Sequence, residues 1–318
     1  MLAMNGVLLI DKPAGMTSHD VVARVRKIIG ERRVGHTGTL DPFATGLLVI
    51  LIGRATRLAQ FLSGAEKEYE ALIRFGYATD TGDVTGARVE RQEPRAETRS
   101  GPSLSKDEIQ AAMTSLQGEI EQVPPMYSAK KIQGKKLYEF AREGQSVERQ
   151  PVRVTIHEFE MFSPADKLLG ANDDGSVDLP VRVVCSAGTY IRTLAEDLGQ
   201  KLGIGSHLAE LRRTRAGRFQ IGGALTLERL AELCKLDTLH DAMLSPHRAL
   251  SHLPVIELDM DQARRTMHGL TLELANNGPQ SLTDGDAVRL SLNNELIAVG
   301  RFDATPGVIH PAVVLVTA

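Results

Sequence analysis

The 318-residue chain has no tryptophan, two cysteines and only 4% aromatic residues. So sparse an aromatic complement leaves little material for an extended base-stacking platform. Cys185 and Cys234 stand far apart with no cysteine partner nearby, which argues against a zinc site and against a disulfide framework. The histidines are scattered singly, without the pairing a metal site needs. No apolar run nears the ~20 residues of a membrane-spanning helix. Met1-Leu2-Ala3-Met4-Asn5-Gly6 lacks the basic segment that opens a signal peptide, so a cytoplasmic protein is expected. No Gly-Lys-Ser/Thr closes a phosphate loop, no Gly-x-Gly-x-x-Gly follows a strand, and no serine or cysteine sits in a nucleophile elbow. The 79–86 loop is dense in Asp and Thr but lacks the register of a calcium loop. No metal site is expected, and nucleotide binding is poorly supported.

The formal net charge is only −3, yet it is unevenly placed. Residues 219–318 carry twelve acids against seven Lys/Arg, a balance of −5 that leaves +2 for residues 1–218. One basic group comprises Arg24, Arg26, Lys27, Arg32, Arg33, Arg54 and Arg57. A second comprises Lys130, Lys131, Lys135, Lys136, Arg142, Arg149 and Arg153, and a third Arg212, Arg213, Arg215 and Arg218. Any one of these is what a solvated face looks like. Three on one folded unit point to a surface for a polyanion.

Chemistry concentrates between Arg33 and Leu48, where Gly35, Gly38, Gly46 and three threonines surround the carboxylate of Asp41. Pro42 biases Asp41 away from helix, and 47–52 continues as an unbroken apolar run. The plain reading is an Asx-turn before a proline. The chemical reading is one carboxylate held rigidly against a buried element. An arginine beside it would keep it ionised in a desolvated pocket, and Arg192, in the first turn of a helix after Ser186-Ala187-Gly188, is such an arginine. That pair suits attack on an electrophilic sugar carbon, or abstraction of a proton. Its plain reading is a helix start with one solvated arginine.

Periodicity predicts a buried opening strand at 7–10 and a helix capped by Thr17 or Ser18 that stops at Gly30. Further helices are expected at 53–62, from the capping box at 105–108 to Leu116, at 137–142, 189–202, 206–213 and 226–233. Strands are expected at 67–75, 152–162 and 179–185, with 170–178 as a long hairpin tip and 91–104 as a polar connector. Beyond Leu250 short apolar runs alternate with turns, predicting a separate β-rich unit over 253–318 after a first domain over 1–250.

The run Gly35-His36-Thr37-Gly38-Thr39-Leu40-Asp41-Pro42-x-Ala44-Thr45-Gly46-Leu47-Leu48 closely resembles the catalytic motif of the TruB family of tRNA pseudouridine synthases. Asp11-Lys12-Pro13-x-Gly15-x-Thr17-Ser18 is similar to the family's opening motif. Arg54-Ala55-Thr56-Arg57, Lys67-x-Tyr69, Pro125-Met126-Tyr127-Ser128-Ala129 and Gly134-Lys135-Lys136-Leu137-Tyr138 resemble further blocks. Gly188-Thr189-Tyr190-Ile191-Arg192 and Leu211-Arg212-Arg213 complete the series, in the family's order and over about residues 5–215.

The resemblance implies an α+β fold, with a central, largely antiparallel mixed sheet flanked by helices and a small C-terminal β-rich PUA-like domain. It also implies isomerisation of uridine 55 in the tRNA T loop to pseudouridine, with no cofactor, metal, membrane or obligatory protein partner, by a monomer. Asp41 would be the catalytic carboxylate, as nucleophile on the ribose or as base toward its 2′ proton. Arg192 would pair with it and lower its pKa. Tyr69 would stack on the target base and help remove its C5 proton, with Leu211 against the other face. His36 would fill the stacking position vacated by the flipped base, and Tyr190 would support the pocket. Lys12, with Pro13, would brace the wall near Tyr69 and counts with Lys130, Lys135 and Arg212 in the RNA-binding set. A guide-RNA-directed synthase and a tRNA-folding chaperone are the alternatives; the first is expected to carry a fuller N-terminal extension.

Overall fold

The computed structural model describes residues 4–89, 104–128, 130–132, 134–162, 170–273 and 282–316. The expected connector at 91–104 falls almost wholly outside them. The main sheet runs, edge to edge, Gly6–Lys12, Thr45–Ile52, Ser206–Ala216, Lys67–Phe75, Val177–Cys185, Val152–Met161 and Gly118–Gln122. Along this order every pairing is antiparallel except that of Ser206–Ala216 with Thr45–Ile52, where Arg212 meets Thr45 and Arg213 meets Gly46. The sheet is therefore mixed and largely antiparallel, as expected.

The run 47–52 is apolar throughout because its strand is covered on both faces. Leu48, Ile50 and Ile52 pack with Val21, Val22 and Val25 of the helix Ser18–Ile29. Leu47, Val49 and Leu51 pack with Leu296, Val299, Val313 and Leu315. Each such side chain contributes about 2 kcal/mol on burial. The helix Ser18–Ile29 starts where its capping box dictates: Thr17 accepts from the amide of Asp20, whose carboxylate returns to Thr17. That leaves the Ser18 hydroxyl free for another task. Farther along the sheet, the helices Lys106–Thr114 and Ile191–Lys201 bury Ile109, Met113, Leu194 and Leu198 against Ile73, Phe159 and Val181.

One expected helix is a strand. Residues 206–213 belong to Ser206–Ala216, which has register shifts between Leu208 and Glu210 and between Arg213 and Arg215. A bulge inserts a residue, so Leu208 and Leu211 are both buried at a three-residue spacing that imitates a helix. The expected 53–62 helix is a 3-10 turn, Gly53–Leu58, followed by a short helix, Ala59–Leu62. The 170–178 excursion does form a hairpin tip, with Gly170 paired to Asp178 and Ala171 to Val177.

The C-terminal residues build a second sheet, ordered Val255–Glu257, Ala287–Leu292, Glu295–Asp303, Val308–Val314 and Leu272–Glu273. It has its own apolar cluster around Val288, Leu290, Ile297, Phe302 and Ile309. Two arginines tie it to the first sheet: Arg54 Nη1 donates to Leu315 O and Arg57 Nη1 to Val314 O, each at 2.6 Å. These guanidiniums, counted above as polyanion-facing, are used inside the molecule. Arg26 likewise donates to Val34 O, whereas Arg24, Lys27, Arg32 and Arg33 remain exposed. No helix among the described residues is long and apolar enough to cross a membrane.

Candidate active site

Asp41 is held through its two neighbours. Leu40 gives its amide to Ser18 Oγ at 2.9 Å and takes that hydroxyl on its carbonyl. Pro42 O accepts from the Gly15 amide at 2.8 Å and from Lys12 Nζ at 3.2 Å. The opening motif is thus a clamp on the 35–48 loop. Lys12 is wholly buried and also donates to Pro13 O and Met16 O. Its expected place among the RNA-binding residues is corrected accordingly, since an ammonium saturated by three carbonyls presents nothing to a phosphate. Burial lowers its pKa to about 8.

Beneath the loop lies Arg213, donating from Nε to Leu47 O at 2.7 Å and from Nη2 to Gly38 O at 3.1 Å. Gly46 is what lets the loop settle there. Its φ is +99°, and a Cβ would stand 2.3 Å from Arg213 O, a distance no side chain can adopt.

Arg192, 4% exposed, joins four segments. Its Nη2 is 3.0 Å from Asp41 Oδ1 and its Nε 3.0 Å from Asp41 Oδ2, a bidentate pair. The same guanidinium donates to Tyr127 O at 2.7 Å and Thr81 O at 2.9 Å, and its Nη1 lies 3.6 Å from Asp83 Oδ2. The plain reading of a solvated arginine does not hold. Asp83 is buried too, taking hydroxyls from Thr81 and Thr85. The Asp/Thr density of the 79–86 loop was its signal in the sequence. The loop faces the guanidinium of Arg192.

The pKa of Asp41 is raised, opposite to the expected direction. Loss of water is the largest cause; Arg192 pulls the other way, and Asp83, which shares that arginine, raises it further. One guanidinium divided between two carboxylates cannot fully offset burial.

A cavity of about 280 Å³ opens over this group, lined among others by Asp41, Lys67, Tyr69, Ser128, Lys130, Tyr190, Arg192, Leu211 and Arg213. Tyr69 and Leu211 sit on neighbouring strands, Tyr69 opposite Arg213 and Leu211 opposite Ala71. Burial raises the Tyr69 phenol while Arg213 draws it down. Lys67 donates to Ser63 O and Ala65 O, and burial lowers its pKa to about 8. Sequence reasoning gave no individual role to Asp83, Arg213, Lys67 or Ser128, although all but Asp83 stand in quoted motifs.

The remaining expected residues lie outside the cavity wall. His36 is half-buried, its Nδ1 accepting from the Gly38 amide at 3.3 Å and its ring edge-on to His19 at 5.7 Å. Burial, His19 and Arg213 all lower its pKa, which favours the neutral imidazole. Lys135 pairs with Glu143 at 2.6 Å, and Arg212 with Asp11 at 2.7 Å on the opposite face of its strand from Arg213. Among the described residues no His, Cys, Asp and Glu cluster is arranged to hold a metal ion.

Comparison with known proteins gives this arrangement a class. A chain in the crystal structure of a Cbf5-Nop10-Gar1 complex superposes with a TM-score of 0.72 at 28% identity, covering 98% of this chain and 85% of that one. The fold is that of a pseudouridine synthase. Residues 26–191 match the TruB family pseudouridylate synthase (N terminal domain), and residues 192–251 match the tRNA pseudouridylate synthase B C-terminal domain. A Bacillus cytotoxicus protein named tRNA pseudouridine synthase B is 43% identical over 315 residues, 98% of each chain. One of the same name from Geobacillus thermodenitrificans is 44% identical over 312 residues, 97% of this chain and 98% of its own. The chain belongs to the TruB family of pseudouridylate synthases, as its motifs implied.

Proposed function

We propose that this protein isomerises uridine 55 in the T loop of tRNA to pseudouridine. The observation that carries the reading is the bidentate Asp41–Arg192 pair at the floor of a cavity walled by Tyr69 and Leu211. A uridine inside a folded loop reaches that floor only by leaving its stack, at a cost of a few kcal/mol. His36, a neutral ring at the rim of the loop, fills the gap it leaves. Tyr69 and Leu211 then hold the two faces of the base.

In the reaction the C1′–N1 bond breaks, the uracil turns, and C5 bonds to C1′. The proton on C5 departs and N1 gains one, so the change is redox-neutral. Asp41 acts as carboxylate, toward C1′ or toward the 2′ proton, and Arg192 holds it ionised and aimed. Tyr69 starts as the neutral phenol, its pKa being raised, and its hydroxyl relays the C5 proton, passing its own proton to water as it takes the new one. Tyr190 supports the wall. Lys130 at the cavity and the exposed Arg24, Lys27, Arg32 and Arg33 meet the phosphates of the T arm, a salt-sensitive contact with little sequence content. The 253–318 unit serves as a PUA-like RNA-binding domain after a catalytic domain over 1–250. The protein works as a cytoplasmic monomer without an obligatory protein partner.

Near-complete coverage of relatives named for tRNA favours this reading over a guide-RNA-directed one. The test is incubation of the full chain with an unmodified tRNA transcript, followed by position-resolved pseudouridine mapping. Modification at position 55 alone is expected. No product, product elsewhere, or a requirement for added guide RNA would overturn the proposal.

A further inference from the structure

Four buried side-chain groups among the described residues have no hydrogen-bond partner: Ser128 Oγ, Thr193 Oγ1, His207 Nε2 and Ser291 Oγ. Of these residues only Ser128 lines the cavity. A buried hydroxyl without a partner is costly, and native folds keep few of them, so one facing a binding cavity asks for a ligand that completes it.

The backbone around Ser128 is pinned from two sides. Arg192 donates to the carbonyl just before it, Tyr127 O, at 2.7 Å. The helix Leu137–Arg142 holds the carbonyl of Ser128 itself through the Tyr138 amide at 3.1 Å, and Lys130 O through the Leu137 amide at 2.9 Å. The guanidinium that aims Asp41 therefore also fixes the serine. Tyr190 is close enough for its phenol pKa, raised by burial, to be drawn down by Ser128, yet the two hydroxyls do not form a bond of acceptable geometry. Ser128 thus lines the cavity with a buried hydroxyl whose hydrogen-bonding capacity is unused.

We propose that Ser128 Oγ accepts a hydrogen bond from N3–H of the flipped uracil, as a specificity-determining contact of the site. The inference rests on the function proposed above. During the isomerisation the detached base makes a half-turn about its N3–C6 axis. That motion exchanges N1 with C5 and O2 with O4, and leaves N3–H in place. A contact at N3 thus serves uridine, the detached base and pseudouridine alike, whereas a contact tuned to O2 or O4 alone meets a different atom after the turn. A cytosine presents a bare N3 here and would leave the serine without its donor, the kind of mismatch that polar sites reject strongly.

The experiment couples Ser128→Ala to the base. Single-turnover rates are measured for the full chain and the variant on tRNA transcripts carrying uridine or N3-methyluridine at the target position, with tRNA affinity measured alongside. On uridine, Ser128→Ala is expected to slow turnover about tenfold with affinity unchanged within about twofold. The methyl group, which removes the donor and meets the serine, is expected to slow the wild type at least tenfold more than it slows the variant. Equal methyl penalties in the two proteins, or an unimpaired Ser128→Ala on uridine, overturn the contact. Should the alanine variant fail to fold, Ser128→Cys, of similar shape and weaker hydrogen bonding, is read the same way. The wild-type rate on uridine separates the two claims: if it is absent the reading of the site fails, whereas a normal rate with equal methyl penalties removes only Ser128.

Discussion

Both sheets rest on apolar cores, but they differ in the polar ties added to them. Around the first, buried cations reach across the chain to specific oxygens: Arg192 to Asp41 and Tyr127, Arg213 to Gly38 and Leu47, Lys12 to Pro42. Around the second, apolar packing within hairpins dominates, and its long-range polar ties include Arg54 and Arg57 from the 3-10 turn Gly53–Leu58 and Arg289 to Leu253 and His247. A buried charge is expensive unless each partner is in place, so the first arrangement is intolerant of change and geometrically exact. Apolar packing tolerates change and specifies less. Catalysis needs the former and docking can use the latter.

The widest separation between them is expected at Asp41. Asp41→Asn keeps the shape of the loop and removes the charge, so pseudouridine formation should fall by at least about 10⁴-fold while tRNA affinity stays within a few-fold, by filter binding. Measurable turnover would sink the assignment. Arg192→Ala comes next, because it harms both fold and chemistry. It leaves the partly buried Asp41 and the buried Asp83 without their shared cation and Tyr127 O and Thr81 O without a donor. The expected loss is about 3 kcal/mol in denaturant unfolding together with abolished activity. Full stability in that variant would mean the network is looser than its distances imply. Gly46→Ala should follow, costing about 2 kcal/mol or more, since both its φ and its contact with Arg213 O forbid a Cβ.

How much could be read in the sequence follows the same division. The apolar run at 47–52, the Thr17 and Ser105 caps and the alternating strand at 67–75 are local patterns, and the described fold contains them. The strand at Ser206–Ala216 was not legible, because its bulges destroy the period of two on which strand recognition depends. Asp41 and Arg192 stood out by motif, yet the direction of the Asp41 pKa shift did not. It depends first on burial and then on Asp83, which a distant loop of no expected role brings to the same arginine. The division of labour between Arg212 and Arg213 was hidden as well. Adjacent in sequence, they face opposite sides of one strand, one on Asp11 at the surface and the other under the catalytic loop.

The raised pKa of Asp41 predicts a pH effect of intermediate size. For a carboxyl whose folded pKa exceeds the unfolded value, the stabilising contribution is present below 3.8 and is lost as pH rises through the folded pKa. The active, ionised form is thus the one the fold holds at a cost. Activity should therefore fall on acidification with a midpoint above 3.8. In Asp83→Asn, which removes one of the raising causes, that midpoint should move down. An unchanged midpoint in single-turnover profiles would show that Asp83 does not act on Asp41 through charge.

The smallest effect is expected at the junction of the two sheets. Arg57 Nη1 donates to Val314 O from an exposed position, so Arg57→Ala should cost about 1 kcal/mol, a fall of a few degrees in Tm, with no change in single-turnover rate. Its carbonyl partner can turn to water, whereas Tyr127 O, when it loses Arg192, is left beside two uncompensated acids. The variant pair Arg57→Ala and Arg192→Ala therefore tests the comparison itself. The two arginines make carbonyl bonds of 2.6 and 2.7 Å, alike in length and unlike in burial. A similar loss of stability from both would mean that burial is not what makes the catalytic region intolerant of change.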